Sequence, residues 1–146
     1  MRTLILGLGN LLLADEGVGV HVAQSLLDLG QPEGTMVLDV GNAVIDALPA
    51  ISAADRVIVV DAMNGGGPPG TVYRIALDDC VDPGPIGSVH GFDLKSVLHL
   101  INREIAPDVV VIGVEPERVG WSTVLSTAVA DAIPDVITAV HGEIRS

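Results

Sequence analysis

The chain has 146 residues, of which 49% are hydrophobic and only 2% aromatic, and it carries a formal net charge of -12. This length predicts one domain over residues 1–146, with a core of Val, Ile, Leu and Ala. The negative charge argues against nucleic acid or an anionic membrane as a partner. The longest apolar runs are too short to span a bilayer, and no signal-peptide pattern precedes the first predicted strand, so we expect a cytoplasmic protein.

The chain opens with an apolar run that leads into a glycine-rich turn. Residues Thr3–Leu6 are continuously apolar, which is typical of a strand buried on both faces of a parallel sheet. Gly7 and Gly9 allow the backbone to turn sharply, and the acidic pair Asp15 and Glu16 comes just before a helical pattern. The sequence therefore predicts a strand, a tight turn and a helix, with carboxylates at the helix N-terminus.

Four further strands are predicted from short apolar runs, at Met36–Asp39, Arg56–Asp61, Thr71–Ile75 and Asp108–Val114. The connection before Thr71 is too short to hold a crossover helix, so this strand should pair antiparallel or lie at a sheet edge. Residues 77–88 are rich in glycine and proline towards their end and should form an irregular loop.

Helices are predicted from apolar residues at helical spacing, over residues 17–30, 45–51, 94–101 and 125–144. Pro49 should interrupt or end the second of these, and Pro134 should break or kink the last. Together the elements predict a three-layer α/β fold, in which a twisted, mostly parallel sheet of about five strands has helices on both faces.

Three acidic residues at strand or turn ends form the candidate site. Glu16, Asp39 and Asp61 should converge at one edge of the sheet if the first three strands run parallel, and His90 follows a loop that could reach the same edge. Two carboxylates and one imidazole would suit nickel, zinc, cobalt or cadmium, with open positions for a substrate or water. The alternative is that the acids cap backbone amides and that the histidine is structural.

A set of short motifs runs through nearly the whole chain in a fixed order. They are Gly7–His21 (GLGNLLLADEGVGVH), Val60–Ala62 (VDA), Pro69–Thr71 (PGT), Ser88–His90 (SVH), Gly113–Pro116 (GVEP) and Leu125–Ser126 (LS). In this order the chain resembles the hydrogenase maturation endopeptidases. The combination of the acidic, glycine-rich opening with the second and fourth motifs is specific, although each piece alone would be weak.

The resemblance implies an endopeptidase that removes a C-terminal extension from the large-subunit precursor of a nickel-iron hydrogenase, after nickel has been inserted. The family's metal-binding positions correspond to Glu16, Asp61 and His90. The metal they engage is thought to be the nickel of the precursor, so no permanently bound metal and no organic cofactor are implied. The family fold is a twisted sheet flanked by helices, of the phosphorylase/hydrolase-like kind, and we expect a monomer.

Asp39 is the second candidate catalytic residue beside Glu16. Many relatives carry Asp-Gly-Gly-Thr or Asp-Cys-Gly-Thr after the second strand, whereas this chain has Asp39-Val40-Gly41-Asn42 and keeps only the acid and one glycine. Nickel or a carboxylate could polarise the scissile carbonyl or the attacking water, and either Asp39 or Glu16 could accept the proton. A structural role for Asp39 at the strand end stays open.

Two further residues have alternative interpretations. Glu115 matches a family acid and is a secondary candidate for contact with the substrate. Trp121, the only tryptophan, lies in a predicted loop and would be a core plug or part of a docking surface, and we favour the plug. The histidines other than His90 are assigned no role.

Two other functions compete with the endopeptidase. A nucleotide-binding α/β enzyme would use the opening glycines, but Leu12 stands where a dinucleotide fingerprint needs its third glycine. A nickel-binding assembly chaperone without enzymatic activity would use the same ligands and leave the precursor uncut.

Overall fold

The computed structural model describes residues 1–79, 87–88, 91–101, 104 and 106–145. Within these residues the strands are β1 (Thr3–Leu8), β2 (Thr35–Gly41), β3 (Arg56–Asn64), β4 (Val72–Ala76), β5 (Gly87–Ser88) and β6 (Asp108–Val114). They form one sheet in the order β2-β1-β3-β6-β4, with the short β5 paired to β3 off this path. This order places β3 in the centre, between the apolar and largely buried β1 and β6.

The sheet is mostly parallel, as predicted. β1 pairs parallel with β2 and β3, and β3 pairs parallel with β6. β4 pairs antiparallel with β6 at the edge of the sheet, because the short connection that precedes it cannot return the chain to the opposite end. The carboxyl ends of the four parallel strands therefore share one edge.

The described helices are α1 (Val18–Leu29), α2 (Leu48–Ala53), α3 (Gly91–Leu98) and α4 (Thr127–Arg145), together with 3₁₀ helices at Ala14–Gly17, Val44–Ala47 and Leu77–Asp79. Helices α1 and α4 pack on one face of the sheet, and α2 and α3 pack on the other. The three-layer α/β architecture is thus confirmed. No helix in the described part of the chain combines the length and apolarity that a membrane crossing requires.

Pro49 behaves differently from the prediction, and Pro134 does not break its helix, while the predicted kink there stays a prediction. Pro49 lies in the first turn of α2 and so helps to begin that helix rather than end it, because the amide that proline lacks has no helical partner there. Pro134 lies inside α4, which continues unbroken from Thr127 to Arg145. The apolar face of α4 packs against the sheet and holds the helix in place, with Val129, Val136 and Val140 buried in the core.

The predicted loop at residues 77–88 contains regular structure where it is described. Leu77–Asp79 form a 3₁₀ turn, and Gly87–Ser88 pair with the end of β3. Residues 80–86 lie outside the described part of the chain, so the prediction of an irregular loop stays a prediction there.

The opening glycines bring α1 into direct contact with the sheet. A Cβ atom on Gly7 would lie 2.3 Å from the carbonyl oxygen of Gly19, and a Cβ atom on Gly19 would lie 2.2 Å from the carbonyl oxygens of both Leu8 and Val60. Any side chain at either position would push the helix away from β1 and β3. Gly7 and Gly19 therefore allow the close packing of α1 against the strands.

Candidate active site

The candidate site lies at the shared carboxyl edge of the parallel strands. Gly7 of β1 is in register with Asp39 of β2 on one side and with Val60 of β3 on the other. Asp61 directly follows Val60 and is in register with Gly113 of β6. The predicted convergence of strand ends at one edge is therefore present in the sheet.

Glu16 is held at this edge by a glycine turn. It lies on the 3₁₀ helix Ala14–Gly17, which contacts β3, and it is half-buried. Gly9 has a φ of +133°, and a Cβ atom there would lie 2.0 Å from the carbonyl oxygen of Glu16. Only glycine allows the end of β1 to pass so closely beneath the turn, so Gly9 sets the position of the Glu16 backbone.

Asp61 is a fully buried carboxylate near the end of β3. Its Oδ1 accepts a hydrogen bond from the backbone amide of Ala62 at 2.9 Å. The side chains of Val59 and Met63 belong to the core beneath α2 and α3, and side chains alternate along a strand. Asp61 therefore faces the α2 and α3 side of the sheet.

Asp39 lies on the other side of the sheet. Val37 belongs to the core beneath α1 and α4, whereas Leu38 and Val40 pack against the opposite core, so Asp39 faces α1. Its carboxylate is exposed and accepts a long hydrogen bond of 3.5 Å from Nε2 of Gln24 on α1. The structure brings Asp39 to the same edge as Asp61 but to the opposite face, and its catalytic role stays a prediction.

His90 lies outside the described residues, so its part in the site also stays a prediction. The described residues before it, Gly87 and Ser88, pair antiparallel with Asn64 and Met63 at the end of β3. Among the described residues, no group of three or more His, Cys, Asp or Glu side chains could hold a metal ion.

Asp15, for which no separate role was predicted, accepts four hydrogen bonds from distant parts of the chain. Its Oδ2 accepts from the amides of Glu117 and Arg118 at 2.8 and 2.9 Å, and from the Ser126 hydroxyl at 2.8 Å. Its Oδ1 accepts from the Ser126 amide at 2.7 Å. Burial by itself would raise the pKa of Asp15, but these hydrogen bonds lower it below the ordinary value.

The consequence of these bonds is that the Glu16 turn is tied to the loop between β6 and α4. The amide of Asp15 also donates to the carbonyl of Arg118 at 3.0 Å, and the amide of Ala14 donates to the carbonyl of Ser122 at 2.8 Å. The sequence near Asp15 carries no signal for this anchoring role, because its hydrogen-bond partners lie more than 100 residues away along the chain.

Glu115 joins two elements beside the site. Its Oε1 accepts from the amides of Gly65 and Gly67 at 2.8 and 3.2 Å, and from the Tyr73 hydroxyl at 2.7 Å. Burial and the hydrogen bond to Glu115 together raise the pKa of Tyr73. Glu115 thus fastens the glycine-rich turn to β4, and a contact with substrate stays a prediction.

Trp121 is not a core plug. Its side chain is 81% exposed, in the loop between β6 and α4. The prediction of a buried tryptophan was wrong because the core beneath this loop is already filled by aliphatic side chains of α1, α4 and the sheet.

The fold and the acidic edge define a class of α/β enzyme, and comparison with known proteins identifies the family. Residues 20–143 match the family model described as hydrogenase maturation protease. A putative hydrogenase maturation protease of Methanocaldococcus jannaschii is 32% identical over 153 residues, covering 97% of this chain and 96% of the relative. The hydrogenase 3 maturation protease of Escherichia coli is 26% identical, covering 97% and 90%.

Solved structures agree with these relatives. The hydrogenase maturating endopeptidase HybD of Escherichia coli superposes with a TM-score of 0.83 at 26% identity, covering 99% of this chain and 93% of that one. The chain belongs to the hydrogenase maturation protease family. It is accordingly an endopeptidase, and the resemblance noted in the sequence is confirmed.

Proposed function

We propose that this chain removes the C-terminal extension of a nickel-iron hydrogenase large-subunit precursor once nickel has been inserted. The observation that carries the proposal is the position of Glu16 and Asp61 on two elements that touch at one edge of the sheet. The 3₁₀ helix that bears Glu16 contacts the strand that bears the buried Asp61. Both positions correspond to metal-binding positions of the family.

The nickel ion belongs to the substrate in this proposal. Glu16, Asp61 and His90 would complete the coordination of nickel that the precursor already holds, which docks the scissile bond beside the site. Carboxylates and imidazole are suitable ligands for this metal. A precursor without nickel would lack the feature that these residues recognise and would stay uncut.

Hydrolysis needs a water molecule and a group that accepts its proton. The water oxygen attacks the peptide carbonyl carbon, a carboxylate takes the proton, and the proton passes to the leaving amine as the carbon–nitrogen bond breaks. We propose Glu16 as the acceptor, since its turn contacts the strand that carries the buried Asp61. Asp39 faces α1 on the opposite side of the sheet, so for it we propose the weaker alternative role of positioning the substrate.

The glycine packing weakens the nucleotide-binding alternative. These glycines serve close packing within the chain, because a Cβ atom on Gly9, Gly17 or Gly19 would overlap backbone atoms, so no nucleotide is needed to explain them. The nickel-binding chaperone uses the same acids as the endopeptidase, so only cleavage separates those two functions.

The decisive experiment follows the mass of the precursor. The purified chain is incubated with nickel-loaded and nickel-free precursor, and we expect a short C-terminal peptide to be lost only from the nickel-loaded form. Precursor that binds but keeps its mass would support the chaperone. Sedimentation of the purified chain and fractionation of cells test the accompanying proposal that it acts as a cytoplasmic monomer.

Amide variants of the acids test their individual roles. We expect Glu16→Gln to lower the cleavage rate by about 100-fold or more, and Asp61→Asn and His90→Gln to weaken binding of nickel-loaded precursor. Exposed Glu33 supplies the matched control Glu33→Gln, which should cleave normally. If Glu16→Gln loses binding and cleavage together, its role is docking; lost cleavage with intact binding would contradict a purely docking role.

Asp39 is tested separately, against an exposed aspartate from the turn that follows the same strand. Asp46 lies on the 3₁₀ helix Val44–Ala47, and Asp46→Asn should leave kcat and KM unchanged. Asp39→Asn should raise KM more than it lowers kcat if the residue positions the substrate. A loss in kcat as large as that of Glu16→Gln would instead make Asp39 the proton acceptor.

A further inference from the structure

Four exposed apolar side chains lie on the loop between β6 and α4 and on the turn bonded to it. They are Leu12, Val119, Trp121 and Val124, and their exposed fractions are 54%, 48%, 81% and 63%; we call them the Trp121 surface. Large apolar side chains are normally withdrawn from water. An exposed tryptophan is unusual in a chain in which only 2% of residues are aromatic.

The backbone beneath these side chains is fixed. Ser122 donates its amide to the carbonyl of Leu12 at 2.9 Å and pairs with Leu13 in an isolated bridge. The amide of Val124 donates to the Ser122 hydroxyl at 3.0 Å. The buried carboxylate of Asp15 holds the other end of the loop. A surface that is already ordered loses little conformational entropy when a partner binds.

The Trp121 surface is continuous with the candidate site. Leu12 precedes Glu16 by four residues in the same turn, and the loop that carries Trp121 is hydrogen bonded to Ala14 and Asp15. This loop is therefore in reach of a folded protein that brings a metal ion to Glu16. The exposed apolar side chains beside the site would add a contact area for such a partner beyond the metal ligands.

From this arrangement we infer that the Trp121 surface is the docking platform for an apolar surface of the folded, nickel-loaded precursor. The inference rests on the proposed function and adds to it a second contact region outside the metal ligands. Binding energy in protein interfaces is concentrated in a few central residues, and tryptophan is enriched among them. Trp121 is the anchor of the Trp121 surface, and the backbones of Leu12 and Val124 are hydrogen bonded to Ser122 beside it.

Three variants and a matched control test this inference in the full chain. Trp121→Ala removes the anchor, Trp121→Phe keeps an aromatic ring, and the double variant Leu12→Ser with Val124→Ser removes its neighbours. Leu27 and Leu29 on α1 have exposed fractions of 54% and 64%, which match those of Leu12 and Val124. The double variant Leu27→Ser with Leu29→Ser is therefore the control, because it removes a similar exposed apolar area at a different place on the molecule.

The measurements are the Kd, KM and kcat for nickel-loaded precursor, with the melting temperature as a check on folding. We expect Trp121→Ala to raise Kd and KM by about 30-fold while kcat changes by less than about threefold. Trp121→Phe should recover most of the affinity. The Ser double variant at the platform should weaken binding about 10-fold, and the α1 control should match the wild-type chain.

The outcomes separate this inference from the proposed function. A wild-type chain that leaves the precursor uncut would overturn the proposed function itself. Normal cleavage with unchanged Kd and KM in Trp121→Ala would overturn only the docking platform. If the wild-type chain sediments as a dimer that Trp121→Ala converts to a monomer, with unchanged affinity for precursor, the surface binds a second copy of this chain instead.

Discussion

At the scale of single residues, the carboxylate of Asp15 holds together parts of the chain that are far apart in sequence. Its partners Glu117, Arg118 and Ser126 lie 102, 103 and 111 residues away. All four hydrogen bonds are donated to Asp15, so an amide side chain at this position would direct its own N–H groups at other donors. The negative charge, and not only the shape, is therefore required.

We expect Asp15→Asn to lower the free energy of unfolding by about 3 kcal/mol, because a buried hydrogen-bonded charge is replaced by a mismatched amide. Urea unfolding at pH 7 measures the loss. Asp135, which is exposed on α4, gives the control Asp135→Asn, expected to change stability by less than about 0.5 kcal/mol. Equal, small effects in the two variants would contradict the structural role of Asp15.

The pH dependence of this difference follows from the lowered pKa of Asp15. A carboxyl whose pKa is lower in the folded than in the unfolded chain adds stability above its unfolded value of about 4, and this stability is lost as the pH falls through the folded value. The gap between wild type and Asp15→Asn should therefore be full at pH 6 to 7 and shrink below about pH 4. A gap that stays constant to pH 2.5 would contradict this assignment.

At the scale of elements, the contact between α1 and the sheet depends on Gly19. Its Cα lies so near the carbonyl oxygens of Leu8 and Val60 that a Cβ atom would overlap both. Gly142 in α4 is the natural control, because a Cβ atom there meets nothing within 4 Å. The two glycines differ in tertiary surroundings while sharing a helical backbone.

Gly19→Ala should destabilise the chain by about 2 kcal/mol or more, since α1 must move away from a well-packed sheet. Gly142→Ala should instead stabilise it by about 0.5–1 kcal/mol, because alanine favours a helix and finds open space. Thermal or urea unfolding of both variants checks the opposite signs. Cleavage should also slow in Gly19→Ala, because the same helix follows directly from the Glu16 turn.

Features that are determined by nearby residues could be predicted from the sequence, and features that depend on contacts distant in sequence could not. The strand at Arg56–Asp61 follows from its own apolar run, and the antiparallel edge strand follows from a short connection. The exposure of Trp121 depends on which side chains already fill the core, and the function of Asp15 depends on a loop that returns more than 100 residues later. Neither leaves a periodic signal in the nearby sequence.

The sequence also did not predict on which face of the sheet each acid lies. Strand ends indicate which acids reach the edge, and the strand register places Asp39 and Asp61 there. The alternation of side chains separates Asp39 from Asp61 only once the strand register and the buried neighbours are known. A register shift between Gly7 and Leu8 adds an irregularity that apolar patterning does not report.

At the scale of the whole molecule, α4 is fastened at both ends by carboxylates. At its start the Asp15 carboxylate binds Ser126, whose hydroxyl accepts from the amide of Val129 at 3.4 Å as a helix cap. At its end Glu143 forms ion pairs with Arg56 of β3 and Arg74 of β4. The hydrogen bonds from Arg74, followed by charge attraction from both arginines, lower the pKa of Glu143 despite its burial.

The chain should therefore unfold sharply in acid, although acidification first relieves its excess of negative charge. At pH 7 the formal net charge is -12, and the excess carboxylates repel one another. Because salt screens this repulsion, raising its concentration from about 0.05 to 0.5 M should increase the melting temperature by a few degrees. Lowering the pH towards about 5 should also raise it or leave it level. Below about pH 4 the lowered-pKa carboxylates Asp15 and Glu143 gain protons and their stabilisation disappears.

Glu143→Gln separates these two effects. It removes the ion pairs with Arg56 and Arg74 at every pH, so its melting temperature at pH 7 should be lower than that of the wild-type chain, and its fall below about pH 4 should be shallower. Its response to salt at pH 7 should keep the same sign, because the excess negative charge remains. A wild-type melting temperature that falls with added salt at pH 7 would mean that attractive ion pairs outweigh the net repulsion, and that the two carboxylate anchors of α4 dominate the electrostatics of the fold.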